Sequence, residues 1–128
     1  MAQRASELLR RYLPCDSSAP RRVRRALAAL DEIEPVRDDV VLVASELVTN
    51  AVLHSGCDPS DQLEVVAEAL PGALRIAVTD PGRSNSAPGL KASAGVRGGF
   101  GLRVTGTLAR RWGSERREGL RVWAELPR

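Results

Sequence analysis

The stretch that decides the fold is ELVTNAVLHS, residues 46 to 55, which forms the C-terminal half of a predicted helix. Residues 40 to 53 contain no Gly or Pro, and Asp38 and Asp39 stand where a helix start favours negative charge. Gly56 follows in the position of a left-handed C-terminal cap. The spacing predicts one buried apolar stripe, formed by Val40, Ala44, Leu47, Val48 and Ala51.

A second flank of this helix carries polar side chains at intervals of four residues, namely Glu46, Asn50 and His54. A carboxylate and an amide oxygen therefore project side by side from a largely buried helix. Glu is almost never fully buried without a partner, and Asn is a poor helix former. The spacing alone favours a solvated flank, because Glu-x-x-x-Asn arises by chance in many amphipathic helices. A functional interpretation requires a phosphate and metal site nearby.

The composition predicts one domain, because 128 residues can bury roughly two-thirds of the unfolded surface in a single core. The net charge is +3, and almost all of the positive charge comes from arginine. This charge is compatible with a negatively charged partner. Aromatic residues make up 3% of the chain, so the stacking platforms of single-strand binders are missing and nucleic-acid binding is not expected. One arginine-rich helix face is either solvated or a docking surface for an acidic partner, and consists of Arg21, Arg22, Arg24 and Arg25.

The two cysteines, Cys15 and Cys57, are too few for a disulfide framework and lack metal-ligand spacing. We therefore interpret them as packing or surface residues in a reducing compartment. No apolar run approaches the roughly 20 residues of a membrane span, and the N-terminus lacks the apolar core of a signal peptide. A soluble cytoplasmic protein is expected.

Hydrophobic periodicity and turn residues predict the remaining elements. Their order favours an α+β fold, a two-layer sandwich with helices on one face of a mostly antiparallel sheet. Residues 83 to 98 contain little that could fill a core and are interpreted as a mobile loop, either a functional lid or a disordered insert. Trp112 and Trp123 are expected to be packing residues. In chain order, the predictions are a strand over 6 to 14, a helix over 21 to 31 capped by Ser18, a loop at Glu34 and Pro35, paired strands over 63 to 69 and 73 to 79, a helix over 102 to 111, and paired strands over 112 to 126 that turn at 117 to 119.

Two further polar features lie at the ends of predicted elements. Asp80 ends a strand directly before Pro81 and Gly82, where the chain must turn sharply. A glycine-rich segment, residues 98 to 101, opens the next helix, where backbone N–H groups and the helix dipole favour a phosphate. An Asn amide oxygen is a hard ligand that suits Mg²⁺, and a carboxylate one turn away could take a proton from an attacking hydroxyl.

Three ordered motifs resemble the nucleotide boxes of the GHKL ATPase superfamily, which has the Bergerat fold. They are ELVTNAVLH (46 to 54), DPG (80 to 82) and GFGL (99 to 102). The resemblance runs from about residue 20 to 126, including the ending LRVWAELP. Within the superfamily, the chain is similar to the bacterial stand-alone anti-sigma factor serine/threonine kinases. The resemblance implies a single ATP-binding domain over residues 1 to 128, with ATP and Mg²⁺ as cofactors.

The same resemblance implies the roles of individual residues. Glu46 would be the general base, and Asp80 would accept a hydrogen bond from the adenine amino group. Asn50 would be the Mg²⁺ ligand. The residues implied to bind the nucleotide are Asn50, His54, Asp80, Gly82, Gly99, Gly101 and Leu102.

Two positions depart from the family pattern. Ser84 stands where the second box usually has a further glycine. Leu120 follows Gly119 where the family usually has a threonine close to the adenine-binding aspartate. The second departure bears directly on adenine affinity.

The function that the resemblance implies is an ATP-dependent protein kinase and anti-sigma factor. It would hold a sigma factor inactive and phosphorylate a serine on a small anti-anti-sigma partner of the STAS type, and a homodimer is expected. One alternative is a binding-only regulator that uses ATP as a structural ligand without phosphotransfer. Another is a basic nucleic-acid-binding module, which would not need Glu46, Asn50 or Asp80.

Overall fold

An antiparallel sheet of five strands organises the part of the chain that the computed structural model describes, residues 5 to 82 and 102 to 128. Its spatial order is β1-β2-β3-β5-β4, and each neighbouring pair is antiparallel. The strands are β1 (Ser6–Pro14), β2 (Gln62–Leu70), β3 (Ala73–Asp80), β4 (Arg111–Arg116) and β5 (Leu120–Pro127). The helices are α1 (Ala19–Ala28), a 3₁₀ helix (Asp31–Val36), α2 (Arg37–His54) and α3 (Leu102–Leu108).

The core lies between one face of this sheet and the helices. Strand side chains alternate between the two faces, so every second residue of β3 and β5 enters the core. In β5, the side chains of Leu120, Val122, Ala124 and Leu126 are buried, and so is the whole predicted stripe of α2. The α+β sandwich predicted from the sequence is therefore confirmed.

The central helix, α2, begins and ends where its sequence signals stand. Asp38 and Asp39 occupy its first turn, and Gly56 has a φ of 81° just beyond its last residue, His54. The predicted left-handed cap is confirmed, because this backbone conformation favours glycine. The result is a helix that holds Glu46, Asn50 and His54 on one flank over its last three turns.

Several helix boundaries differ from the prediction. Ser18 precedes α1 but makes no side-chain cap bond, because the Asp16 carboxylate accepts hydrogen bonds from both its backbone N–H and its hydroxyl. The segment around Pro35 is a 3₁₀ helix and not a loop. Helix α3 ends at Leu108, earlier than predicted, because the Arg110 N–H is donated to the Glu125 carbonyl of β5.

The interpretation of the cysteines as separate packing or surface residues is wrong, because a disulfide joins Cys15 to Cys57. Cys15 follows β1 and Cys57 follows α2, and their Cα atoms lie 6.3 Å apart. The bond therefore ties the end of α2 to the start of the α1 region. Since disulfides are uncommon in reducing compartments, the cysteines give no support to a cytoplasmic location, which stays a prediction.

The two tryptophans pack on opposite sides of the sheet. Trp112 packs against the core. Trp123 lies on the other face, where the Arg75 and Arg111 guanidinium groups stand 5.9 and 5.5 Å from its ring centre. Both are packing residues within the described part of the chain, as predicted. Within residues 5 to 82 and 102 to 128, no helix has the length and apolar character needed to cross a bilayer.

Candidate nucleotide-binding site

The polar flank of α2 is buried at its centre. Asn50 is only 2% exposed, and its carbonyl oxygen Oδ1 has no hydrogen-bond partner among the described residues. One turn earlier, the Glu46 oxygen Oε1 is also buried, again with no partner in the part of the chain that the structure describes. A fully solvated flank, which the spacing alone favours, does not fit these two side chains. A buried acceptor without a donor costs about 1–3 kcal/mol, so the pair is retained against a stability cost.

Burial also changes the proton affinity of Glu46, because it raises the pKa of the carboxyl group above its usual value of 4.5. A raised pKa makes the carboxylate a stronger base once it is ionised. Burial lowers the pKa of His54, at the end of the same helix, below its usual 6.5, so its imidazole is neutral at pH 7. The flank therefore offers a basic carboxylate, a bare amide oxygen and a neutral imidazole in succession.

The Asn50 oxygen is suited to bind a metal ion that a bound ligand also coordinates. Among the described residues, no three His, Cys, Asp or Glu side chains stand together as a metal site. A protein-only cage is therefore not formed there. Mg²⁺ commonly takes one or two protein oxygens and completes its octahedron with phosphates and waters. An orphaned Asn oxygen is the donor that such a shared site needs.

The second motif places a buried carboxylate at the end of β3. Asp80 is 4% exposed, and its Oδ1 accepts a hydrogen bond of 2.5 Å from the backbone N–H of Gly82. Burial raises the pKa of Asp80, while the Gly82 N–H and the positive charge of Arg116 act in the opposite direction. With Oδ1 engaged inside the turn, Oδ2 is the oxygen that can accept a hydrogen bond from a ligand.

The turn after Asp80 is closed by contacts that the sequence motifs did not indicate. Gly82 has a φ of 75°, and its carbonyl oxygen accepts a hydrogen bond of 3.2 Å from Arg116 Nη1. A Cβ atom added at Gly119 would overlap the Asp80 carbonyl oxygen. Leu120, which replaces the family threonine, lies directly opposite Asp80 in the sheet and is buried. The residue that pairs with Asp80 in β5 is therefore apolar.

The third motif is described only in part. Leu102 begins α3, whereas Gly99, Gly101 and the predicted lid over 83 to 98 lie outside the described residues. Thr105 of α3 is fully buried, and its hydroxyl has no hydrogen-bond partner among the residues that the structure describes. Helix α2 packs against both β3 and α3, so the elements that carry the three motifs are in contact.

Comparison with known proteins identifies the family of the chain. The chain belongs to the histidine kinase-like ATPase domain family, whose profile matches residues 14 to 125. Membership of this family implies that the chain binds ATP. A search of the curated proteins gave no match.

One solved structure to which the chain is similar is "The crystal structure of the RsbU and RsbW domains of Rv1364c from Mycobacterium tuberculosis". The TM-score is 0.68 and the sequence identity is 25%. The match covers 93% of this chain but only 31% of that chain. The likeness therefore concerns one part of a much longer protein.

Proposed function

We propose that this chain is an ATP-binding regulator with serine/threonine kinase activity. The observation that carries the proposal is the buried, unpartnered Asn50 oxygen one turn from Glu46, on a helix that packs against the strand ending in Asp80. Membership of the ATPase family supplies the ligand that would satisfy these groups. The proposed single domain covers residues 1 to 128, and its lid is proposed at about 83 to 98.

Each side chain has a proposed task. Asp80 Oδ2 accepts a hydrogen bond from the adenine amino group, and Gly82 lets the base lie against the turn. Asn50 Oδ1 binds Mg²⁺, which neutralises charge on the phosphates when it is bound. The further nucleotide contacts come from His54 and from the backbone N–H groups of Gly99, Gly101 and Leu102.

In the proposed transfer, Glu46 takes the proton of a serine hydroxyl on the partner protein. The serine oxygen bonds to the γ-phosphorus as the bond to the β–γ bridging oxygen breaks, which yields phosphoserine and ADP. The buried environment of Glu46 suits this role, because burial raises its pKa and hence its affinity for the proton.

The proposed partners follow from the likeness to the RsbW domain. We infer that the chain binds a sigma factor and that the phosphorylated partner is a small anti-anti-sigma protein of the STAS type. A homodimer and a cytoplasmic location belong to the same proposal. Size-exclusion chromatography with light scattering measures the oligomeric state directly.

Calorimetry with ATP, in the presence and absence of Mg²⁺, tests the binding step. Asp80→Ala should weaken ATP binding roughly ten- to a hundredfold, because a buried hydrogen bond to a charged group is lost. Glu32→Ala removes an exposed carboxylate from the 3₁₀ helix and should bind ATP like the wild type. Equal loss in both variants would contradict the base-binding role of Asp80.

Labelled ATP with Mg²⁺ and candidate partner proteins tests the kinase step. Transfer of label to a serine of one partner supports the kinase. A chain that binds ATP tightly but labels no partner is instead the binding-only regulator, for which ATP is a structural ligand.

A further inference from the structure

The β4–β5 hairpin touches the Asp80 turn at two points. At its tip, Gly119 lies so close to the Asp80 carbonyl oxygen that no side chain could be added there. From the end of β4, Arg116 Nη1 donates a hydrogen bond of 3.2 Å to the Gly82 carbonyl oxygen. The turn that carries Asp80 is therefore held by a hairpin that follows it by more than thirty residues in sequence.

The contact made by Arg116 is not a consequence of strand pairing. Strand β4 pairs only with β5, which separates it from β3. Arg116 is the last residue of β4 and pairs with Leu120, which in turn faces Asp80. Its long side chain thus spans the end of the intervening strand to reach the turn. Arginine suits this task because its guanidinium is always charged and donates several hydrogen bonds in a fixed plane.

The Gly82 carbonyl group and the Asp80 side chain are connected through the two hydrogen bonds that Gly82 makes. Gly82 N–H donates to Asp80 Oδ1, so the position of Gly82 fixes the orientation of the carboxylate. The hydrogen bond from Arg116 holds the other polar group of the same residue. The positive charge of Arg116 also favours the ionised form of Asp80, against the effect of burial on its pKa.

We infer that Arg116 is a positioning residue for recognition of the nucleotide base. It holds the Gly82 carbonyl so that Asp80 presents Oδ2 to an amino group of the bound base. This inference rests on the proposed ATP-binding function and adds to it a residue outside the three sequence motifs.

The test compares ATP with inosine triphosphate, which carries an oxygen where adenine carries its amino group. Arg116→Gln should weaken ATP binding about tenfold, on the scale of one hydrogen bond made by a charged group. Binding of inosine triphosphate should change much less, so discrimination between the two nucleotides should fall. Arg116→Lys keeps the charge and one donor and should recover most of the discrimination.

Arg117→Gln is the matched control. Arg117 is the next residue, carries the same charge and is exposed, and its ion-pair contact is a Glu115 oxygen at 3.7 Å. This variant should discriminate like the wild type. Melting temperatures of the Arg116 and Arg117 variants should stay close to that of the wild type, because both side chains are exposed.

Three outcomes overturn the inference. The first is unchanged discrimination in Arg116→Gln while Asp80→Ala still loses ATP. The second is equal loss of both nucleotides in Arg116→Gln, which would indicate a general structural role. The third is a wild-type protein that binds no ATP. This result would refute the proposed function as well, and the wild-type measurement alone is enough to distinguish it from the first two outcomes.

Discussion

Replacing Asp80 with asparagine should weaken ATP binding and stabilise the free protein. The two side chains have the same shape, and the Gly82 N–H bond of 2.5 Å fixes the orientation, since only the carbonyl oxygen of an amide can accept it. The amide nitrogen then replaces Oδ2. A donor would face the amino group of adenine, where the wild type offers a charged acceptor.

The size of the binding defect follows from replacing a charged acceptor with a donor at a side chain that water hardly reaches. Asp80 is 4% exposed, and a hydrogen bond to a charged group contributes about 1.5–3 kcal/mol. The expected loss in ATP affinity is therefore about 10- to 150-fold, measured by calorimetry at pH 7.5.

The stability effect has the opposite sign and depends on pH. Burial raises the pKa of Asp80 in the folded state above its usual 3.8, so the folded protein binds this proton more tightly than the unfolded chain. That contribution is fully present below pH 3.8 and is lost as the pH rises through the raised pKa. The amide of the Asp80→Asn variant has no such proton to lose. The advantage of this variant in the free energy of unfolding should grow from pH 3.8 upward and level off above the raised pKa.

Urea unfolding of the nucleotide-free proteins at several pH values measures this difference. An Asp80→Asn variant that binds ATP within about threefold of the wild type would refute the adenine role. A variant less stable than the wild type at every pH would refute the argument from burial.

Three more substitutions test other parts of the structure. Glu46→Gln should leave ATP binding nearly intact and slow phosphotransfer roughly 10²- to 10⁴-fold in the labelled-ATP assay, because the general base is lost. Asn50→Ala should weaken binding of Mg-ATP in calorimetry, and the defect should shrink without metal; an equal defect in both conditions would contradict the ligand role. Cys15→Ser should destabilise the oxidised protein by about 4 kcal/mol, from the loop entropy of a separation of 42 residues. A dithiol should lower the wild-type melting temperature but not that of the variant.

The main elements of the fold could be predicted from the sequence, because the signal for each element lies within a few neighbouring residues. The bounds of β1, the two hairpins and the end of α2 depend on alternation, on turn residues and on Gly56, all of which act within a few positions. One helix boundary differs from the prediction because a distant group competes for the same backbone. Helix α3 ends early because its C-terminal extension pairs with Glu125 of β5.

The candidate site also combines features that local spacing predicts with features that depend on long-range contacts. The spacing of Glu46 and Asn50 placed both on one helix flank, yet only the packed structure shows that their oxygens are buried without partners. Arg116 was not predicted at all, because its contact with Gly82 joins residues 34 positions apart and leaves no periodic trace. The disulfide was missed for the same reason, since its two cysteines are separated by 42 residues.

The groups that destabilise the free protein are the groups for which the proposed ligand has counterparts. Within residues 5 to 82 and 102 to 128, no group donates a hydrogen bond to Asn50 Oδ1 or Glu46 Oε1, and Asp80 holds a carboxylate out of water. A folded chain gains nothing from this arrangement unless a cation, a proton donor and an amino group enter the site together. Mg-ATP and a serine hydroxyl supply these three, and a ligand at a hundred times its Kd stabilises the folded state by about 2.7 kcal/mol. That gain in folding free energy is comparable to the cost of leaving two buried oxygens without hydrogen bonds. Binding of the proposed nucleotide would therefore offset the stability that these polar groups cost the free protein.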